Sequence, residues 1–187
     1  MIFRFDDISL NTDMPAALAM AEHARSLGVR VWFCVSPLCH SDAGRERVFP
    51  AIFKALSDQT CFYTVDRAGV PEIPSWIERV SHGRIHLDHR LLDAGAQEMS
   101  IVTSCRLIGA RRFVPPFNKW NAPTLYACEK NGIELIRFED GWYSMEHEAY
   151  KEGHEKWYLH PRAFTAGGFK AWFRGGKGRN DRLDTST

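Results

Sequence analysis

The chain has 187 residues, 44% of them hydrophobic, and its 24 Lys plus Arg against 23 Asp plus Glu give a formal net charge of +1. That length supports one domain with a substantial core and is too short for two. The near-neutral balance excludes recognition of nucleic acid or an anionic membrane by bulk charge, and no apolar run approaches the ~20 residues a membrane-spanning helix needs.

Met1 to Phe5 reads as a first strand, closed by the acid pair Asp6-Asp7. Asn11 to Asp13 supply capping residues, Pro15 stands just inside a helix start, and the helix Ala16 to Leu27 stops at Gly28. Val29 to Val35 follows as a strand whose nearly continuous apolar run fits burial on both faces of a parallel sheet. Arg47 to Leu56 carries apolar residues at roughly helical spacing, and Cys61 to Val65 is a short β-rich run. Past the turn region of Pro71 and Pro74, Trp76 to Val80 leads into the histidines His82, His86 and His89. Leu91 to Ile108 is the longest helical candidate, Arg112 to Val114 a short strand, and Asn121 caps a helix ending at Asn131-Gly132. Ile133 to Phe138 and Trp157 to Leu159 complete the strands, the latter running into His160-Pro161.

This alternation predicts an α/β fold with a mostly parallel sheet: a distorted β/α barrel with fewer than eight strands, since the chain falls short of the ~250 residues of a full eightfold barrel. One catalytic domain is expected over residues 1–174, and the Gly-rich, polar tail 175–187 is expected to be mobile. The N-terminus lacks a basic segment followed by an apolar stretch and a cleavage site, so a cytoplasmic location is expected. The five cysteines, Cys34, Cys39, Cys61, Cys105 and Cys128, are odd in number, show no C-x-x-C spacing and mostly sit in apolar segments. Reduced core thiols fit that pattern.

The chemistry-bearing residues have the composition of a metal hydrolase. A catalytic divalent cation takes about three carboxylate or imidazole ligands and keeps a position open for water. Asp7 and two of the three clustered histidines meet that need. His82 and His86 are four apart and His86 and His89 three apart, so either pair can share one face, and spacing alone does not choose between them. Asp6 and His160 are then left as the right types for a general base and a general acid. Adjacent acids at the end of an apolar strand are expensive to bury unless paired or metal-bound.

In order along the chain, Phe5-Asp6-Asp7, His82 through His86, Phe113-Val114-Pro115-Pro116-Phe117 followed by Asn121, and Leu159-His160-Pro161 resemble the signature segments of the polysaccharide deacetylase superfamily, which includes chitin, chitooligosaccharide and peptidoglycan deacetylases. The resemblance spans Phe5 to Pro161. It implies a distorted β/α barrel that removes an N-acetyl group from an amino sugar with a bound divalent metal, zinc by default. It implies further that Asp6 is the catalytic base, that Asp7, His82 and His86 are the metal ligands, and that His160 is the acid that protonates the leaving amine. Phe117, Asn118, Trp120 and Trp142 lie in or after predicted loops and are candidates for contact with the sugar, Trp142 because the family often places an acid and a tryptophan in this region. Asp140 is the expected partner that orients His160.

Two positions depart from the family pattern. Ile8-Ser9 follows the acid pair in place of Gly-Pro, and Val114 stands where the family carries an arginine that supports the catalytic acid. Arg4 precedes Asp6 by two residues in a strand, so both side chains share a face, and Arg4 is a candidate replacement. Arg111 and Arg112 compete for that role, and an outward-facing structural Arg4 is the simpler alternative. The substrate expected is an N-acylated sugar, such as a precursor of a surface polysaccharide. The alternatives are hydrolysis of a non-sugar amide or imide and a carbohydrate-binding pseudoenzyme.

Overall fold

Chain order gives β1 (Ile2–Ile8), α1 (Met14–Ser26), β2 (Arg30–Val35), β3 (Leu38–Cys39), β4 (Arg67–Ala68), β5 (Glu78–Ser81), α2 (Ala94–Ile108), β6 (Arg112–Phe113), α3 (Ala122–Lys130), β7 (Glu134–Leu135), β8 (Tyr143–Ser144), β9 (Lys156–Leu159) and α4 (Ala166–Phe173). This computed structural model describes residues 1–39, 67–68, 70–84, 86–147 and 154–173. The expected helix Arg47–Leu56, strand Cys61–Val65 and tail 175–187 lie outside the described residues.

Seven strands form one sheet in the order β7-β6-β5-β2-β1-β9-β8, and every pairing in it is parallel. Followed around, this is simply chain order, broken once between β7 and β8, the two edges. The sheet is therefore a half-barrel curled toward closure and, among the described residues, open at one seam. β3 and β4 pair antiparallel apart from it.

Strand alternation sorts the core into an inside and an outside. Phe3 and Phe5 face outward and meet the Phe169 ring edge-on, each at 5.9 Å, in a cluster with Ala17, Met20, Ala21 and Ala24 of α1 and Trp172 of α4. The inward positions Ile2, Trp32, Cys34, Val80, Val114, Ile136 and Trp142, with half-buried Tyr158, fill the barrel. On the far flank, Ile101, Cys105, Ala127 and Cys128 of α2 and α3 pack on Phe113. Cys34, Cys105 and Cys128 are buried free thiols, as expected of core cysteines.

The helix ends follow local chemistry. Asp13 caps α1 by accepting from the Ala16 N–H at 3.1 Å, and Gly28 beyond its end takes φ 75°, which a residue without Cβ adopts at no steric cost. Asn121 and Thr124 form a reciprocal capping box at the start of α3. Three expectations are corrected. The strand expected over Ile133–Phe138 shrinks to Glu134–Leu135, because β7 has one neighbour among the described residues and the chain soon enters a 3-10 turn at Phe138–Asp140. The edge strand β8 and the helix α4 were not apparent in the sequence, β8 for its two-residue length and α4 for its Gly167-Gly168 pair. The acid pair does not follow β1 but lies within it.

Candidate active site

Adjacent residues of a regular strand point to opposite faces, so Asp6 and Asp7 cannot both serve one site without a break in the pleat. β1 supplies one. Its register with β2 shifts between Phe5 and Ile8, and Asp7 adopts φ 61°, a left-handed conformation that aspartate tolerates better than most residues. Asp6 stays in the interior, 2% exposed, while Asp7 is re-aimed at the C-terminal mouth of the barrel.

At that mouth Asp7 meets two of the three histidines. Its Oδ1 lies 3.3 Å from His82 Nε2 and 2.9 Å from His86 Nε2, and one donor atom from each residue falls within 4.8 Å of the others. His82 Nδ1 donates to the Val114 carbonyl at 2.9 Å, which fixes the tautomer and turns a bare Nε2 toward Asp7. Burial lowers the His86 pKa against the pull of Asp7, which favours the neutral, ligating ring. Asp7 Oδ1 is buried without a hydrogen bond. An unsatisfied carboxylate oxygen facing a ring lone pair asks for a cation between them, so the three residues fit a divalent metal with oxygen and nitrogen ligands.

His89 is excluded from this group. It is fully buried, its Nδ1 donates to the Leu87 carbonyl at 3.0 Å, and its Nε2 accepts from the Ser100 hydroxyl at 3.0 Å. No lone pair is left for a metal.

Arg4 points inward, not outward. It is fully buried, holds Asp6 in a two-pronged ion pair at 2.8 and 2.9 Å, and donates from Nη2 to Asn118 Oδ1 at 2.9 Å. Its guanidinium stands 4.7 Å from the Trp142 ring centre and 4.9 Å from that of Tyr158, aromatic faces that favour a cation. Arg112 is engaged elsewhere, with Glu78 and Glu134 at the opposite end of the strands. Arg4 is thus the arginine paired with the buried acid.

His160 follows β9 and turns Nε2 toward Asp7 Oδ2 at 3.8 Å. Its expected partner is corrected: Asp140 pairs with Arg137 at 2.8 Å, and Glu146 Oε1 instead accepts from both His160 Nδ1 at 2.6 Å and the His160 backbone N–H at 2.7 Å. Burial alone would depress the His160 imidazole, but the bond to Glu146 and the charges of Asp7 and Asp6 outweigh it and raise its pKa. Glu146, beyond an edge strand of two residues, carried no signal in the sequence. Arg162 likewise carries no sequence signal; its Nη2 lies 3.1 Å from Asp7 Oδ2.

The sugar-contact candidates separate. Phe117 is 54% exposed, takes φ 58°, and sets its ring 4.5 Å from that of His86, beside the ligands. Asn118, at φ 55°, has its carbonyl oxygen committed to Arg4, and its NH2 makes no hydrogen bond among the described residues. Trp120 is half-buried beneath the Arg137 guanidinium, 5.8 Å from the ring centre. Trp142 is 3% exposed and packs on Trp32 inside the barrel, so it offers no open face to a sugar.

No protein-family model and no curated protein sequence matches the chain. Solved structures do. A family 4 carbohydrate esterase from Streptomyces lividans in complex with acetate superposes with a TM-score of 0.56 at 14% identity, over 92% of this chain and 83% of that one. The peptidoglycan deacetylase PdaC from Bacillus subtilis matches with a TM-score of 0.54 at 11% identity, over 94% and 85%. A family 4 carbohydrate esterase pseudoenzyme from Bacillus anthracis also gives 0.54 at 11%, over 92% of this chain and 58% of that one. With a parallel half-barrel in chain order and these structural neighbours, the chain has the fold of the polysaccharide deacetylase superfamily.

Proposed function

We propose that the protein is a metal-dependent deacetylase that hydrolyses the N-acyl amide of an amino sugar. The observation that carries this reading is the convergence at one mouth of Asp7, His82 and His86 with a buried, arginine-held Asp6 and a carboxylate-held His160. Asp7, His82 and His86 would hold a divalent ion, zinc by default, which when bound supplies Lewis acidity to the amide carbonyl and the attacking water.

The chain's own residues do the rest. Arg4 fixes the Asp6 carboxylate with one bond to each oxygen, and each oxygen keeps a second lone pair with which it takes the proton of the attacking water. An amine leaves poorly unless protonated. His160, held at Nδ1 by Glu146, delivers that proton from Nε2, and its raised pKa keeps the imidazolium populated toward neutral pH. Phe117 offers an exposed flat face beside the ligands for the sugar ring.

The test is acetate release from N-acetylated hexosamines by zinc-loaded protein, with Asp6→Asn and His160→Gln beside wild type. Release that falls at least about a hundredfold in both variants supports the reading, given the rate contribution typical of a general acid or base. Release from simple amides or imides but no sugar would favour the non-sugar hydrolase. The fold shared with a pseudoenzyme favours a second reading, sugar binding without turnover. Saturable binding in the presence of zinc with no acetate formed would establish it.

A further inference from the structure

The charges at the mouth form pairs that leave two cations over, Lys119, which shares Asp88 with Arg90, and Arg162. Arg4 is matched by Asp6, Glu146 takes both N–H groups of His160, and Asp88 takes Arg90 at 2.8 Å with Lys119 at 3.8 Å. Arg162 reaches Asp7 through a single nitrogen at 3.1 Å, and its side chain is 66% exposed. Among the described residues its guanidinium makes no hydrogen bond beyond this ion pair. Asp7 carries one negative charge and belongs to the candidate ligand set, so a divalent ion held there consumes that charge. Arg162 is then an unmatched guanidinium at the rim, two residues beyond His160. An exposed ion pair holds its partner weakly, so little opposes turning this fork to another anion. The chain as a whole bears a charge of only +1 and exerts no general pull on anions, so preference for one must come from a local group.

We propose that the amino sugar accepted by this site carries an anionic group, a carboxylate or a phosphate, and that Arg162 reads it. The proposal rests on the deacetylase reading above. The guanidinium presents parallel N–H donors that match either group with two bonds, which an ammonium cannot do. Binding at the rim sets the acyl nitrogen near His160 without adding charge to the barrel interior, where Arg4 and Asp6 already balance.

Titration calorimetry in a His160→Gln background, where release is suppressed, tests this by binding alone on zinc-loaded protein, using N-acetylglucosamine, its 1-phosphate and its uronic acid, with the wild-type residue, Arg162→Gln and Lys119→Gln compared in that background. The His160→Gln protein is expected to bind at least one charged sugar about tenfold more tightly than the neutral one, the scale of a charge-assisted pair. Arg162→Gln should lose most of that preference while keeping its affinity for the neutral sugar, and Lys119→Gln should retain it. A preference that survives in Arg162→Gln would come from the anion meeting the metal directly and would overturn the assignment, as would equal binding of charged and neutral sugars by the His160→Gln protein. Either result leaves the deacetylase reading standing. Protein that takes up zinc but binds none of the sugars would overturn both.

Discussion

Arg4 shows how a buried charge is held inside a core. Its positive charge sits where water is excluded, and the Asp6 carboxylate with two aromatic faces replaces the lost hydration. Removing one member of such a pair strands the other, so Arg4→Met should cost about 3–5 kcal/mol in urea unfolding. Adding Asp6→Asn should restore a large part of that loss, and a double variant no more stable than Arg4→Met alone would refute the coupling. Glu146 makes a second residue-scale case. His160 owes its raised pKa to Glu146, Asp7 and Asp6 acting against burial, so the imidazolium survives to higher pH than an ordinary histidine would allow. Glu146→Gln removes the anion in direct contact with the ring. The alkaline limb of kcat/KM, where the general acid loses its proton, should then move to lower pH, and a limb that stays in place would remove Glu146 from the mechanism.

At the scale of elements, the histidine segment is pinned to α2 through one serine. The Ser100 hydroxyl accepts from the Arg84 N–H at 3.2 Å and donates to His89 Nε2. Burial lowers the His89 pKa to about 4, with the backbone bond at Leu87 opposing it. A folded-state pKa below the unfolded one means that the unfolded chain binds more protons between those values, so stability is full above pH ~6.5 and is lost as the pH falls toward 4. The loss should approach about 3 kcal/mol. The difference between wild type and His89→Asn, followed by urea unfolding from pH 7 to pH 4, isolates it; parallel curves would contradict it. The same segment shows what a sequence can and cannot disclose. Its three histidines announce a metal, but only the fold reveals that His89 spends both nitrogens on Leu87 and Ser100. Strands at the centre, β1 and β2, were legible because burial on both faces leaves a continuous apolar run. The edge strands β7 and β8, two residues each, leave too short a pattern to read, and the misplacing of Trp142 and the missing of Glu146 follow from that. Asp6 and Asp7 were recognisable as a pair, while the bulge that lets both serve one site is a property of backbone register, which side-chain identity does not encode.

For the molecule as a whole, the open seam decides what a bound ion does to stability. A closed barrel fastens every strand to two neighbours, whereas among the described residues β7 and β8 pair on one side only, so the sheet is not fastened across that seam. The candidate ligands tie β1 to the segment after β5 across the intervening β2, a link between strands that share no hydrogen bonds. An ion that binds only when these elements are in register binds the folded state alone, so its free energy adds to folding by mass action. At a free zinc concentration a hundred times the Kd the gain is about 2.7 kcal/mol, which for a chain of this length raises Tm by about 5–10 °C. The gain should be reversed by a chelator and absent from both His82→Ala and His86→Ala, yet fully present in His89→Asn. Calorimetric scans of the four proteins with and without zinc measure it. A zinc-dependent rise that persists in His82→Ala would place the ion elsewhere on the chain and remove the structural basis for assigning this mouth a hydrolytic metal.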